Sequence, residues 1–111
     1  MLQLSENVCI DILQAGYGDS IYISINKENS SFNVLVDGGL ASTYYNARER
    51  RCSIGPLKAL LNSLKNKGSH IDLLICTHVD DDHIGGVRKW FETDFPIKDF
   101  VREIRINDDV L

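Results

Sequence analysis

The 111-residue chain has no run approaching the ~20 apolar residues that a bilayer span requires. Its opening, MLQLSENVCI, lacks the basic region and long apolar stretch of a secretory leader, so the expected location is the cytoplasm. Cysteine is scarce. Cys9, Cys52 and Cys76 are scattered, which argues against a disulfide framework and fits a reducing compartment. Cys9 and Cys76 stand in apolar runs and are expected to be core thiols. Basic charge is also short: 12 Lys and Arg against 16 Asp and Glu leave a net charge of -4. Such a chain offers no broad attraction to nucleic acid or anionic lipid, and an anionic substrate has to be held locally. There is no internal repeat, low-complexity tract or linker, and the length excludes two full domains. The remainder is ordinary globular composition, 43% hydrophobic and 25% charged. Folding at this length buries roughly 65% of the unfolded chain's surface, enough for one core with little in reserve.

Three short runs rich in β-branched residues, Val8 to Leu13, Ile21 to Ile25 and Phe32 to Val36, predict strands with an antiparallel beginning. Gly16 and Gly18 permit the turn between the first two, and residues 26 to 31 form a polar hairpin loop. After Asp37-Gly38-Gly39 comes a polar stretch with Arg48, Arg50 and Arg51, expected as a surface loop. Pro56 opens a helix in which Leu57, Leu60, Leu61 and Leu64 share one face; Lys65, Lys67 and Gly68 mark its end. Ile71 to Cys76 is the nearly continuous apolar run of a strand covered on both faces. Val87, Trp90 and Phe91 share helical spacing, which predicts a helix from about Ile84 to Glu92 with Trp90 in the core. Phe100 to Ile106 is the last strand. The order β-β-β-α-β-α-β is an α/β arrangement in a single domain over residues 1 to 111.

Immediately after the buried strand stands THVDDDHIGG, residues 77 to 86. Imidazole nitrogens and carboxylate oxygens are ligands for zinc, manganese or iron. In extended backbone His78 and Asp80 point the same way and can share one ion, while Asp82 and His83, at the bend into the helix, address a second. Gly85 and Gly86 let that bend approach another backbone. The competing interpretation is a solvated acidic loop that caps a helix, because aspartates favour helix starts. It accounts for Asp81, which faces away from its neighbours, and for Asp80, but not for two histidines among the carboxylates. His70, ahead of the buried strand, is expected on the surface and not as a ligand.

The segment resembles the metallo-β-lactamase fold, whose signature HxHxDH is entered from a buried strand and leads through glycines into a helix. GYGDS before one strand and LVDGG after the next resemble the branch that includes the hydrolase domain of DNA-uptake competence proteins. The likeness spans about residues 8 to 106. It implies the N-terminal half of an αββα sandwich, with His78 and Asp80 on one metal, Asp82 and His83 on the other, and Asp37 supporting them from behind. Two departures accompany it. Asp80 replaces the second histidine of the pattern, which hardens the site and tilts it from zinc toward manganese. A complete family domain is roughly twice this long, so the domain is expected to be incomplete on its C-terminal side. The family's later ligands have no counterpart after Val87.

The resemblance implies hydrolysis of a phosphodiester or similar anionic substrate, small molecule or nucleic acid, at two divalent ions, zinc or manganese, with Asp82 also holding the attacking water. The amides opening the helix near Ile84 would favour a phosphate. Arg48, Arg50 and Arg51 are candidate phosphate contacts against the simpler reading of a solvated loop. Tyr17 is a candidate stacking residue. The rival function is a half-domain that binds metal or a partner without turnover, since a lone half exposes an apolar sheet face. A second copy or a companion chain would complete the fold.

Overall fold

The structure is a computed structural model and describes residues 6–14, 18–46, 48, 53–94 and 97–107. Strands β1 (Glu6–Ile12), β2 (Ile21–Lys27) and β3 (Ser30–Val36) form an antiparallel meander. A two-residue turn at Glu28-Asn29 joins β2 to β3, so the strands extend further into the expected loop than composition indicates. A short helix α1 (Ala41–Tyr44) and the longer α2 (Pro56–Asn66) lead to β4 (Ile71–Cys76), which pairs parallel to β3. Helices α3 (Asp81–Thr93) and α4 (Ile97–Phe100) then precede β5 (Val101–Ile106), parallel to β4. The five strands lie in sequence order within one sheet. This is the mixed α/β architecture of one half of the expected sandwich, with α1 and α4 added to the order.

The helices cover one face. Leu57, Leu61 and Leu64 of α2 and Val87 and Trp90 of α3 are buried against Tyr22, Leu35, Leu74 and Cys76. Trp90 is fully buried, as its spacing with Val87 indicates, whereas Phe91 is 36% exposed. Pro at the first helical position and Gly68 at φ +74° just past the end fix α2 as expected.

Among the described residues no helix covers the other face. Register places Val8, Ile25 and Phe32 in one row, Ile10, Ile23, Val34 and Leu73 in a second, and Ile12, Ile21, Val36 and Ile75 in a third. The last two rows end on Glu103 and Arg105 of β5. Val8, Ile10 and Ile12 are 53%, 62% and 79% exposed. The apolar run of β4 therefore serves a helix-covered face and an open one, instead of two covered faces. Cys76 is a buried thiol, but Cys9 is exposed, because β1 is an edge strand that no helix overlies. Cys52, Arg50, Arg51 and Tyr17 lie outside the described residues. Among the described residues no helix is long and apolar enough to cross a membrane.

Candidate metal centre

The site forms where β3 and β4 end side by side. Parallel pairing of Val36 with Ile75 brings the residues after each strand together, and the Asp37 amide donates to the Ile75 carbonyl at 2.8 Å. Asp37 adopts φ +59°, a left-handed conformation that aspartate tolerates better than most side chains. Its carboxylate is buried and fully employed. Oδ1 accepts from the Thr77 amide at 2.7 Å; Oδ2 accepts from the Thr77 hydroxyl and from His83 Nδ1, the latter at 3.2 Å. The Ser20 hydroxyl donates to the Asp37 carbonyl at 3.0 Å, tying β2 into the same corner.

Helix α3 closes the site from below. The Gly38 amide donates to the His83 carbonyl at 2.6 Å, and the Gly86 amide to the Gly39 carbonyl at 2.9 Å. A side chain at Gly86 would meet the Gly38 carbonyl oxygen at 2.0 Å, so the two glycines after His83 do permit the expected backbone approach. The helix starts at Asp81, three residues before the start that periodicity indicates, so Asp81 and Asp82 occupy its first turn. Their charges already complement the positive helix end, which removes the unopposed phosphate seat implied by a start near Ile84.

His83 lies among three carboxylates. Asp37 and Asp19 face Nδ1 at 3.2 and 3.5 Å, and Asp82 Oδ2 lies 3.8 Å from Nε2. Burial alone would lower the His83 pKa. The hydrogen bond to Asp37 and the charges of Asp82, Asp37 and Asp19 outweigh it and raise the pKa above the ordinary histidine value. The His78 ring lies beside that of His83, with centroids 4.5 Å apart, and its Nδ1 is 3.0 Å from the Thr77 hydroxyl. His78 and Asp80 line a hollow of about 170 Å³ with Thr77, Val79 and Asn107. Asp80 occupies the N-cap position of α3 without making a side-chain cap hydrogen bond, so capping does not consume its carboxylate. Asp81 is exposed and paired with Arg88 at 3.0 Å. His70 is half-buried and bonded to Asp72 at 2.8 Å, away from this corner. Arg48 is exposed, with its amide on Asn46 Oδ1.

Donor chemistry tests whether these residues suit a divalent ion. A metal-binding imidazole usually donates its other nitrogen to a carboxylate or carbonyl, and His83 does so to Asp37. The Asp82 carboxylate, 3.8 Å from His83 Nε2, is the second oxygen or nitrogen donor on that side of the ring. Among the described residues no three His, Cys, Asp or Glu side chains already form a group that could hold a metal. The residues therefore fit a divalent ion as a partial donor set. Sequence reasoning missed Asp19, Thr77 and Ser20. Gly18-Asp19-Ser20 was visible as a motif, but nothing local shows that it lies over Asp82. The fold supplies that link: the Asp19 amide donates to the Asp82 carbonyl at 3.1 Å.

Residues 14–102 match the family described as the metallo-beta-lactamase superfamily. ComE operon protein 3 of Bacillus subtilis (strain 168) is 33% identical over 87 residues, which cover 74% of this chain and 11% of that protein. The chain thus spans about 11% of the length of the curated relative it matches. No solved structure gives a significant match. Over most of its length, including the strand, cluster and helix that carry the candidate donors, the chain belongs to the metallo-β-lactamase superfamily.

Proposed function

We propose that the chain is the donor-bearing half of a metal-dependent hydrolase that acts on a phosphodiester or a similar anionic substrate at a dinuclear site. The observation that carries this reading is the buried Asp37 carboxylate behind His83, with Asp82 on the opposite ring nitrogen. His78 and Asp80 would hold one ion and Asp82 and His83 the other, manganese or zinc. When bound, such ions acidify water and polarise the bond under attack. Asp82 would also hold the attacking water, and Asp37 keeps the His83 ring in place. The acidic first turn of α3 repels an anion, so substrate binding depends on cations in the site. The phosphodiester preference rests on the likeness of GYGDS and LVDGG to the competence-protein branch. We place the protein in the cytoplasm, consistent with Cys9 and Cys76 as free thiols.

The test is cleavage of bis(p-nitrophenyl) phosphate with added Mn²⁺ or Zn²⁺. We expect turnover that Asp82→Ala abolishes while its circular dichroism and melting curve match the parent. Turnover surviving that change refutes the assignment.

The bare sheet face supports a second reading, a half-domain module that binds metal or a partner without turnover by itself. Three contiguous apolar rows exceed the scattered apolar side chains of an ordinary surface. The occupant we propose is a second copy, because the face is apolar throughout, aliphatic but for Phe32, with charge at one edge, and so is chemically self-complementary. Light scattering should then give a dimer and Ile10→Glu a monomer. A monomeric parent that binds no apolar dye overturns it, and a stable complex only with another chain identifies a companion instead.

A further inference from the structure

We infer that Thr77 is a positioning residue that fixes the His78 ring with its proton on Nδ1 and its Nε2 lone pair free. Counting donors leads to this. An ionised carboxylate only accepts hydrogen bonds, and a threonine hydroxyl has one proton to give. The Thr77 hydroxyl touches Asp37 Oδ2 and lies 3.0 Å from His78 Nδ1. Its proton goes to the carboxylate, so toward His78 the hydroxyl oxygen is an acceptor and Nδ1 must carry the hydrogen. The Thr77 amide, bonded to Asp37 Oδ1 at 2.7 Å, holds the backbone so that the hydroxyl does not swing away. His83 is held in the same tautomer, with its Nδ1 facing Asp37 directly at 3.2 Å. One buried carboxylate thus sets both rings, His83 by contact and His78 through one hydroxyl. In water a free imidazole prefers the proton on Nε2, the nitrogen this arrangement leaves bare. The purpose of the lock, presenting two Nε2 atoms to divalent ions, rests on the metal-site reading above; the lock itself belongs to the metal-free protein.

The experiment is a two-bond ¹H–¹⁵N correlation spectrum of the ¹⁵N-labelled, metal-free chain, with the pH raised until the ring ¹⁵N shifts stop moving, because the carboxylates around His83 hold its pKa above the ordinary histidine value. His78 and His83 are expected as Nδ1–H tautomers. In T77V, His78 should revert toward Nε2–H while His83 stays unchanged, and T77S should restore His78. Mn²⁺ titration should show affinity lowered about 10-fold or more in T77V, with T77S near the parent. An Nε2–H tautomer at His78 in the parent overturns the inference whether or not T77V folds, and so does a His78 tautomer unmoved in folded T77V. A parent with both rings locked that binds neither Mn²⁺ nor Zn²⁺ overturns the metal-site reading while supporting the tautomer assignment.

Discussion

Substituting Gly18 by alanine is expected to destabilise the protein by several kcal/mol, for a reason the backbone torsions do not supply. A Cβ at this position would lie 2.0 Å from the Asp82 carbonyl oxygen, 2.9 Å from Gly39 Cα and 3.0 Å from the Asp82 carbonyl carbon. All three are backbone atoms, so no flexible side chain can give way. The two segments must part, and the hydrogen bond from the Asp19 amide to the Asp82 carbonyl, 3.1 Å long, parts with them. Forced overpacking costs about 1–3 kcal/mol and the lost hydrogen bond about 1 kcal/mol, together ~2–4 kcal/mol. At roughly 4 °C per kcal/mol for a domain of this size, the melting temperature should fall by about 8–16 °C. Gly68→Ala is the control, because Gly68 has φ +74° and open space around its missing Cβ. It carries only the left-handed backbone cost of about 1–2 kcal/mol, hence a drop of about 4–8 °C. Thermal melts followed by circular dichroism measure both. A Gly18→Ala protein melting within about 2 °C of the parent refutes the close approach of the two loops. Because the displaced carbonyl is that of Asp82, a candidate donor, metal affinity should fall in the same variant.

Tyr44→Phe should cost about 1–3 kcal/mol at neutral pH by removing a hydrogen bond to the Asp94 carboxylate. That hydrogen bond is the main cause lowering the Asp94 pKa below its ordinary value, with burial opposing it and Lys58 assisting. The stabilisation is therefore present above the unfolded aspartate pKa and lost as pH falls through the lower folded value. The gap between variant and parent in urea unfolding should close in strong acid; a gap that stays constant contradicts the assignment. In a Cys52→Ser background, Ellman's reagent should label the exposed Cys9 at once. It should reach Cys76, which burial pushes up to about 11, only on unfolding. Two fast thiols would show that the helix layer does not seal Cys76.

How much of this was legible in the sequence depended on whether a residue's signal was local. The bounds of β4 followed from an apolar run between His70 and Thr77, and α2 from a proline, a leucine stripe and a glycine, all within a few residues. Helix α3 starts three residues ahead of the periodic signal because Asp81, Asp82 and His83 contribute no apolar period. Helix α1 was missed because its four residues are too few to show a period, although Thr43 and Tyr44 are buried. The apolar neighbourhood of Cys9 signals a strand but not whether a helix lies over it, so an exposed thiol reads as a core one. The cluster at 77 to 83 announced itself by composition, whereas its support did not. Asp37, Thr77 and His83 meet across 40 and 46 positions of sequence, and only the parallel register of β3 on β4 brings them together. Asp37 was found through a motif likeness. Asp19 and Thr77 were not found, since an aspartate after a turn glycine and a threonine after a strand are unremarkable until the register is known. A shift of that register by one residue would reverse the facing of every β3 side chain relative to β4. It would also separate Asp37 from Thr77, so the packing that buries Leu35 against Leu74 is the same interaction that holds the candidate donors in place.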